Sequence, residues 1–274
     1  MIFSYTMKIL VLGEIVGRPG FTAVKNALKD LKKDVDLVIA NGEGMANGFG
    51  INAKNAVSLM KAGVDIITLG EKAFYKRDMM DFIKDTSKVL RPYNFPITDT
   101  PGKGVKFTNI GEVKVAVINL LGIQNMHPTL NNPYTTLDYS LNKIKENYPV
   151  VFVIFHASAS AEKQTMFHYL DSKVTAVIGT HTKVLTADSE VSENHTAYIT
   201  DNGRCGSVYS VGGLDAENEI NKQRTNIPLR SKECFNEIEL QGVIVEFNEK
   251  GEALSITPVK QSVNYDPKLF EKED

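Results

Sequence analysis

The pattern that most constrains the fold is a repeated alternation of short apolar runs with stretches of helical periodicity. The runs Lys8–Leu12, Leu37–Ala40 and Asp65–Leu69 are rich in valine, isoleucine and leucine, which is typical of buried strands. Apolar residues recur at helical spacing after Pro19, and Ala53–Lys61 is a second helical stretch. Strands that alternate with helices in this way predict an α/β fold, in which a sheet is covered by helices.

The alternation continues through the middle of the chain. Three further apolar runs predict strands, at Val113–Leu120, Val150–Phe155 and Val174–Ile178. The stretches between them predict helices at Thr136–Glu146 and Ala161–Leu170.

The last part of the chain has the period-two pattern of antiparallel strands. This pattern spans Glu237–Val263, and Asn248–Gly251 has the residue types of a hairpin turn. No internal repeat or linker divides the chain. We therefore predict a short N-terminal extension over residues 1–6 and a single domain over residues 7–274.

Composition excludes several classes of function. The 274 residues carry a formal net charge of −2, so no excess of basic side chains indicates nucleic-acid binding. No apolar run approaches the ~18 residues of a membrane-spanning helix, and the N-terminus does not resemble a signal peptide. The two cysteines, Cys205 and Cys234, are too few for a disulfide framework, and we expect both to be free, buried thiols. These features predict a cytoplasmic protein that does not bind membranes.

Polar side chains able to bind metal stand just beyond the ends of five predicted strands. They are Glu14, Glu43, Glu71, His156 and His181. In layered α/β folds, ligand-binding and catalytic groups converge at the carboxyl ends of the strands. Histidine and carboxylate together suit Zn, Mn or Fe. The pattern therefore predicts a metal site, although a single histidine beside a strand is more often a structural residue.

Other motifs are less informative. The glycine-rich phrase Gly13–Gly20 (GEIVGRPG) lacks the glycine spacing of a dinucleotide-binding turn, and a strand-to-helix turn that ends at Pro19 explains it. The chain has no nucleophile elbow and no phosphate-binding Walker loop.

A series of phrases along the chain resembles one family. They are KILVLGEIVGRPG, VIANGEGMANGFG, DIITLGEKAF, LRPYNFP, TPGKG, AVINLLG, FHASASAEK, VIGTHTKVLTAD and TAYITDNG, which occur in this order between Met7 and Val263. They resemble the YmdB-like phosphodiesterases, a branch of the calcineurin-like metallophosphoesterases that hydrolyses 2′,3′-cyclic nucleotides. The resemblance implies an αββα sandwich, in which two packed mixed sheets are flanked by helices, and self-association as a homo-oligomer.

The resemblance also implies a role for each matching position, and four of the positions are kept or conservatively changed. Glu14 stands where the family has a ligand aspartate, so the carboxylate is kept on a longer side chain. Glu43 matches the glutamate that bridges two metals, and His156 and His181 match two histidine ligands.

The other four positions differ in kind. Gly44 and Glu71 stand where the family has ligand asparagines. Lys72 replaces the histidine that acts as general acid, and Lys183 replaces a histidine ligand. Because a protonated lysine has no lone pair for a metal, the changes at Gly44 and Lys183 predict that one of the two metals is lost.

Two interpretations of the site remain open at this stage. One divalent metal, Fe, Mn or Zn, could bind Glu43, Glu71, His156 and His181, or the lysines could neutralise the carboxylates with no metal bound. Three functions follow. The chain could have lost most phosphodiesterase activity and serve in binding, regulation or assembly. Alternatively, it could be a phosphodiesterase or phosphatase with one altered metal, or a sensor that binds a nucleotide or phosphate without cleaving it.

Overall fold

The computed structural model describes residues 6–96, 100–126 and 129–265, and of the predicted N-terminal extension only Thr6 lies within these ranges. The strands are β1 Met7–Ile15, β2 Leu37–Asn41, β3 Ile66–Thr68, β4 Val89–Leu90, β5 Val105–Ile110, β6 Val113–Leu121, β7 Val150–His156, β8 Ala176–Thr180, β9 Glu190–Val191, β10 Ala197–Ile199, β11 Arg204–Ser207, β12 Ile238–Phe247 and β13 Ala253–Val263. The helices are α1 Gly17–Leu31, α2 Ala53–Ala62, α3 Arg77–Asp85, α4 Pro133–Asp138, α5 Leu141–Lys145, α6 Ser160–Leu170 and α7 Ala216–Thr225.

The strands form two mixed sheets. The first has the order β13-β12-β11-β1-β2-β3-β4, in which β1 to β4 are parallel and β12 is antiparallel to β1. The second has the order β5-β6-β7-β8-β10-β9, in which β6, β7, β8 and β10 are parallel and the edge strands are antiparallel. The hairpin predicted for the C-terminal part is β12 and β13.

The side chains of the central strands alternate between two cores. On β7, Val150, Phe152 and Ile154 pack between the two sheets, whereas Val151 and Val153 pack on the outer face of the second sheet. On β1, the alternate residues pack either between the sheets or on the outer face of the first sheet. Because both faces are buried, these strands are continuously apolar in sequence. The predicted αββα sandwich, with two packed mixed sheets flanked by helices, is confirmed.

The helix predicted over Thr136–Glu146 is wrong in one respect, since the segment contains two short helices, α4 and α5. Ser140 separates them with a φ of −123°, outside the helical range. Its hydroxyl donates to the backbone carbonyl of Thr136 at 2.9 Å, a local bond that competes with continued helix formation.

Two expectations from composition can be compared with the structure. None of the described helices is both long and apolar enough to cross a membrane. Cys205 and Cys234 are free and buried, as predicted.

The aromatic pair between the sheets provides a test of this packing. Phe152 and Phe247 lie with ring centroids 5.5 Å apart, and both side chains are fully buried. We expect Phe152→Ala to lower the free energy of unfolding by about 3–5 kcal/mol, because it leaves a cavity between the sheets. Urea denaturation measures this change. Tyr139→Ala removes an aromatic ring that is 90% exposed and should change stability by less than about 0.5 kcal/mol. Equal effects of the two substitutions would contradict the packing described here.

Candidate metal centre

All five residues predicted at strand ends lie at one edge of the sandwich. Glu14 is near the end of β1, Glu43 follows β2 and Glu71 follows β3, so the first sheet supplies three carboxylates. His156 ends β7 and His181 follows β8, so the second sheet supplies two imidazoles. Since neighbouring strands in each set are parallel, their carboxyl ends meet at the same edge.

Three of these residues form a compact group that could hold a metal ion. One possible ligand atom from each of Glu71, His156 and His181 lies within 4.8 Å of the others. His156 Nε2 is 3.0 Å from Glu71 Oε2 and 3.0 Å from His181 Nδ1. Two imidazoles and a carboxylate are a donor set that suits Zn, Mn or Fe, so the side chains fit a divalent cation.

Two side chains contact Nδ1 of His156 and fix the orientation of its ring. Its Nδ1 lies 2.9 Å from Thr180 Oγ1 and 3.2 Å from Asn41 Nδ2, which leaves Nε2 facing Glu71 and His181. Such contacts at the second ring nitrogen fix the orientation of a metal-binding histidine. Gly70 is necessary for this position, because a Cβ on residue 70 would lie 2.3 Å from His156 Cδ2.

The protonation of the two histidines differs. Burial lowers the pKa of His156, but its hydrogen bond to Glu71 and the surrounding carboxylates outweigh that effect and raise it overall. Burial and the charge of His156 lower the pKa of His181 to about 3, so this imidazole is neutral at pH 7 and keeps a lone pair. A metal binds only neutral imidazole, so its binding would release the His156 proton.

The Glu43 carboxylate accepts hydrogen bonds from two backbone amides. Its Oε2 accepts from Gly70 N at 2.7 Å, and its Oε1 accepts from Lys72 N. The side chain is fully buried, and this burial raises the pKa of Glu43 to about 7 against the lowering influence of the His156 charge. Glu43 does not belong to the compact group of three, and its role as a fourth ligand stays a prediction.

Glu14 pairs with Lys183 across the two sheets. Lys183 Nζ is 3.2 Å from Glu14 Oε1, and neither Glu14 oxygen has another hydrogen-bond partner among the described residues. Gly44 lies against the same carboxylate, since a Cβ on residue 44 would come within 2.6 Å of Glu14 Oε1. Glycine at position 44 therefore leaves the space that the Glu14 carboxylate occupies.

Lys72 also forms an ion pair in the site. Its Nζ is 2.8 Å from Glu71 Oε1, and both side chains are largely buried. Burial alone would lower the pKa of Lys72, but the carboxylates of Glu14, Glu71 and Glu43 raise it above the ordinary lysine value. At neutral pH this ammonium holds its proton more firmly than an efficient general acid does.

The turn that carries His181 and Lys183 has a strained backbone, and side chains from other segments hold it in place. Their φ angles are 106° and 63°, in a region that non-glycine residues rarely adopt. Asp201 accepts from Thr182 N at 2.8 Å, and the guanidinium of Arg204 donates to the Lys183 carbonyl at 3.0 Å. These bonds keep both side chains directed at the site.

Asp201 depends in turn on a buried ion pair that the sequence analysis did not identify. Lys163 Nζ lies 2.8 Å from Asp201 Oδ2, and both side chains are at most 1% exposed. Lys163 lies in the phrase FHASASAEK and Asp201 in TAYITDNG. Neither phrase has a pattern that indicates burial of charge, so spacing alone could not have revealed the pair.

The fold and the site together define a class of protein. A mixed-sheet αββα sandwich with carboxylate and histidine side chains at one strand edge is the architecture of the calcineurin-like metallophosphoesterases.

Comparison with known proteins identifies the family within this class. The family model described as "YmdB-like protein" matches residues 10–259, and this chain belongs to that family. The 2′,3′-cyclic-nucleotide 2′-phosphodiesterase of Bacillus subtilis (strain 168) is 37% identical over 246 residues, which cover 89% of this chain and 92% of the relative.

Two solved structures have the same fold over nearly their whole lengths. A hypothetical protein from Thermus thermophilus superposes with a TM-score of 0.88 at 32% identity, covering 93% of this chain and 99% of that chain. A novel phosphatase from Mycoplasma pneumoniae superposes with a TM-score of 0.89 at 27% identity, covering 99% and 98% respectively. The chain is therefore a YmdB-like protein with a phosphoesterase fold.

The buried pair behind the turn gives a prediction for stability. We expect Lys163→Met to lower the free energy of unfolding by about 3–5 kcal/mol, because it leaves the Asp201 carboxylate buried without its cation. Lys145→Met removes an exposed lysine from α5 and should change stability by less than about 0.5 kcal/mol. Both values come from urea denaturation. If Lys163→Met were as stable as the control, the pair would not support the turn.

Proposed function

We propose that this protein binds phosphoesters through a site with at most one divalent metal, and that it hydrolyses 2′,3′-cyclic nucleotides very slowly or not at all. The observation that carries this proposal is the contact between Lys183 Nζ and the buried Glu14 carboxylate at 3.2 Å. An ammonium in that position supplies the positive charge that a second metal would otherwise bring. The relative from Bacillus subtilis is a phosphodiesterase by name, and we infer that this chain has diverged from that activity.

A shortage of ligands supports the same proposal. Gly44 offers no side chain, and Lys183 offers no lone pair while it is protonated. Glu14 and a share of Glu43 would then be the remaining side chains for a second ion. Two-metal phosphoesterases need both ions to clamp the attacking and leaving oxygens.

A single metal ion remains compatible with the other side chains of the site. Glu71, His156 and His181 would hold it, with Glu43 adjacent. When bound, such an ion supplies a Lewis acid that polarises a phosphoryl oxygen. Lys183 and Lys72 would bind other oxygens of the same anion as point charges. This arrangement favours binding of a phosphate group without rapid cleavage, as in a nucleotide or phosphate sensor.

The compact group of Glu71, His156 and His181 favours a second candidate, a slow phosphodiesterase or phosphatase that uses one metal. The two candidates differ in whether turnover depends on added metal. Regulation, assembly into a homo-oligomer and a protein partner are compatible with either candidate.

Turnover provides the direct test of the proposal. We expect the purified chain, supplied with Mn²⁺, Fe²⁺ or Zn²⁺, to hydrolyse 2′,3′-cyclic AMP at less than about 0.1 per second, a hundredth of the ~10 per second that is ordinary for enzymes. A Glu71→Gln variant prepared in parallel gives the background from contaminating enzymes. Metal-dependent turnover above that background but below the limit would favour the slow one-metal enzyme. A rate near ~10 per second would contradict the proposal.

Substitution of Lys183 tests whether this side chain takes the place of a cation. In metal-free buffer we expect Lys183→Met to lower the free energy of unfolding by about 3 kcal/mol, because Glu14 loses its counter-charge. Lys183→Arg keeps the charge and should lose less stability. Added Mn²⁺ should raise the melting temperature of Lys183→Met more than that of the wild type, since binding to the folded state stabilises it. A Lys183→Met variant with wild-type stability and no greater response to Mn²⁺ would refute this role.

A further inference from the structure

A second concave site lies away from the metal centre. It is a cavity of about 650 Å³ between the end of β4, strand β5 and helix α5. None of the five metal-competent residues at the strand ends lines it. The volume is within the usual range for small-molecule sites, about 300–1,000 Å³.

Arg91 contributes a buried cation to this cavity. Its side chain is 7% exposed, and Nη1 donates to the carbonyl of Pro92 at 2.7 Å. Within the described ranges, Nε has no hydrogen-bond partner and no carboxylate lies within 4.0 Å of the guanidinium. A buried charge without an opposite charge is destabilising, and an arginine does not avoid this cost by losing its proton. An anion in the cavity would supply the missing partner.

The other charged groups of the cavity have the same sign. Lys103 and Lys143 line it together with Arg91, and its described lining includes no aspartate or glutamate. Further lysines, Lys88 and Lys106, lie near Lys103 outside the wall, and burial together with the charges of Lys103 and Lys88 lowers the pKa of Lys106. A concave surface lined by one sign of charge concentrates ions of the opposite sign.

Aromatic side chains also line the cavity. The rings of Phe107 and Tyr148 lie 4.5 Å apart between centroids with an interplanar angle of 31°, and both line the cavity. Tyr139 also lines it, although its side chain is 90% exposed. Aromatic side chains provide stacking surfaces for a planar ring such as a nucleobase.

From this combination we propose that the cavity binds a small anion that carries a planar ring, of the nucleoside monophosphate type. The phosphate would pair with Arg91, Lys103 and Lys143, and the base would stack against Phe107, Tyr139 or Tyr148. The site is separate from the metal centre, so this proposal does not depend on the function proposed above. A competing occupant is a second copy of the chain, which would cover the exposed ring of Tyr139.

Calorimetric titration of the whole protein with AMP in EDTA tests the proposal. EDTA removes metal from the strand-edge site, so the binding that remains reports on protein side chains. We expect AMP to bind with a dissociation constant below about 1 mM, and inorganic phosphate and adenosine to bind at least about tenfold more weakly because each lacks one of the two recognised groups. Absence of AMP binding at that concentration, or equal affinity for phosphate alone, would overturn the proposal.

Matched variants locate the binding. Lys143 and Lys145 are both exposed on α5, but only Lys143 lines this cavity. We expect Lys143→Glu to weaken AMP binding by about tenfold or more and Lys145→Glu to change it by less than about twofold. Arg91→Met should abolish binding, and if that variant does not fold, Lys143→Glu decides the question. Equal losses in the two α5 variants, or loss in Lys183→Met instead, would show that AMP binds elsewhere.

Measurement of the molecular mass in solution distinguishes AMP from a second copy of the chain as the occupant of the cavity. A dimer that dissociates on Tyr139→Ala substitution, without any effect of AMP, would show that a second copy covers this face and would overturn the proposal. A mass that Tyr139→Ala leaves unchanged, together with weaker AMP binding by that variant, would support it.

Discussion

Glu14, Glu43 and Glu71 bring three carboxylates to one edge of the sandwich, and all three side chains are at least nine-tenths buried. Buried carboxylates repel one another and are stable as anions only beside opposite charge. Lys183 lies against Glu14, and Lys72 lies against Glu71. Glu43 has no lysine ammonium in hydrogen-bond contact among the described residues, and its pKa rises to about 7. The chemistry of the site therefore depends on how this negative charge is balanced.

The fold makes this balance of charge possible because strands of both sheets end at the same edge of the sandwich. The first sheet supplies the carboxylates, and the second supplies His156, His181 and the turn with Lys183. The turn has unfavourable backbone angles and is held by Asp201, which is itself paired with Lys163. A buried charge pair thus holds the turn that carries Lys183. The function that we propose follows from this positioning.

Much of the fold could be predicted from the sequence. Strands that are buried on both faces are apolar throughout, so β1, β2, β6 and β7 were evident. The polar residues near the ends of β1, β2, β3, β7 and β8 indicated the site. The break between α4 and α5 could not be predicted, because it lies at Ser140, whose hydroxyl donates to the backbone carbonyl of Thr136. The family phrases indicated the family to which the chain belongs.

The remaining features of the site depend on contacts between distant segments. Gly44 gives room to the Glu14 carboxylate, and Gly70 gives room to the His156 ring. A glycine in a loop is common enough in sequence that neither contact could be inferred. The buried guanidinium of Arg91 lies in the phrase LRPYNFP, which is informative for the family but does not indicate a charge without a partner.

In the function that we propose, the ammonium of Lys183 takes the place of a metal ion beside Glu14. Crystals of the protein soaked in Mn²⁺ test it most directly, because anomalous scattering counts and locates the bound ions. We predict at most one anomalous peak per chain, beside Glu71, His156 and His181, with Lys183 Nζ still against Glu14. Two peaks per chain, with Lys183 displaced from Glu14 by the second ion, would show that Lys183 does not replace a metal.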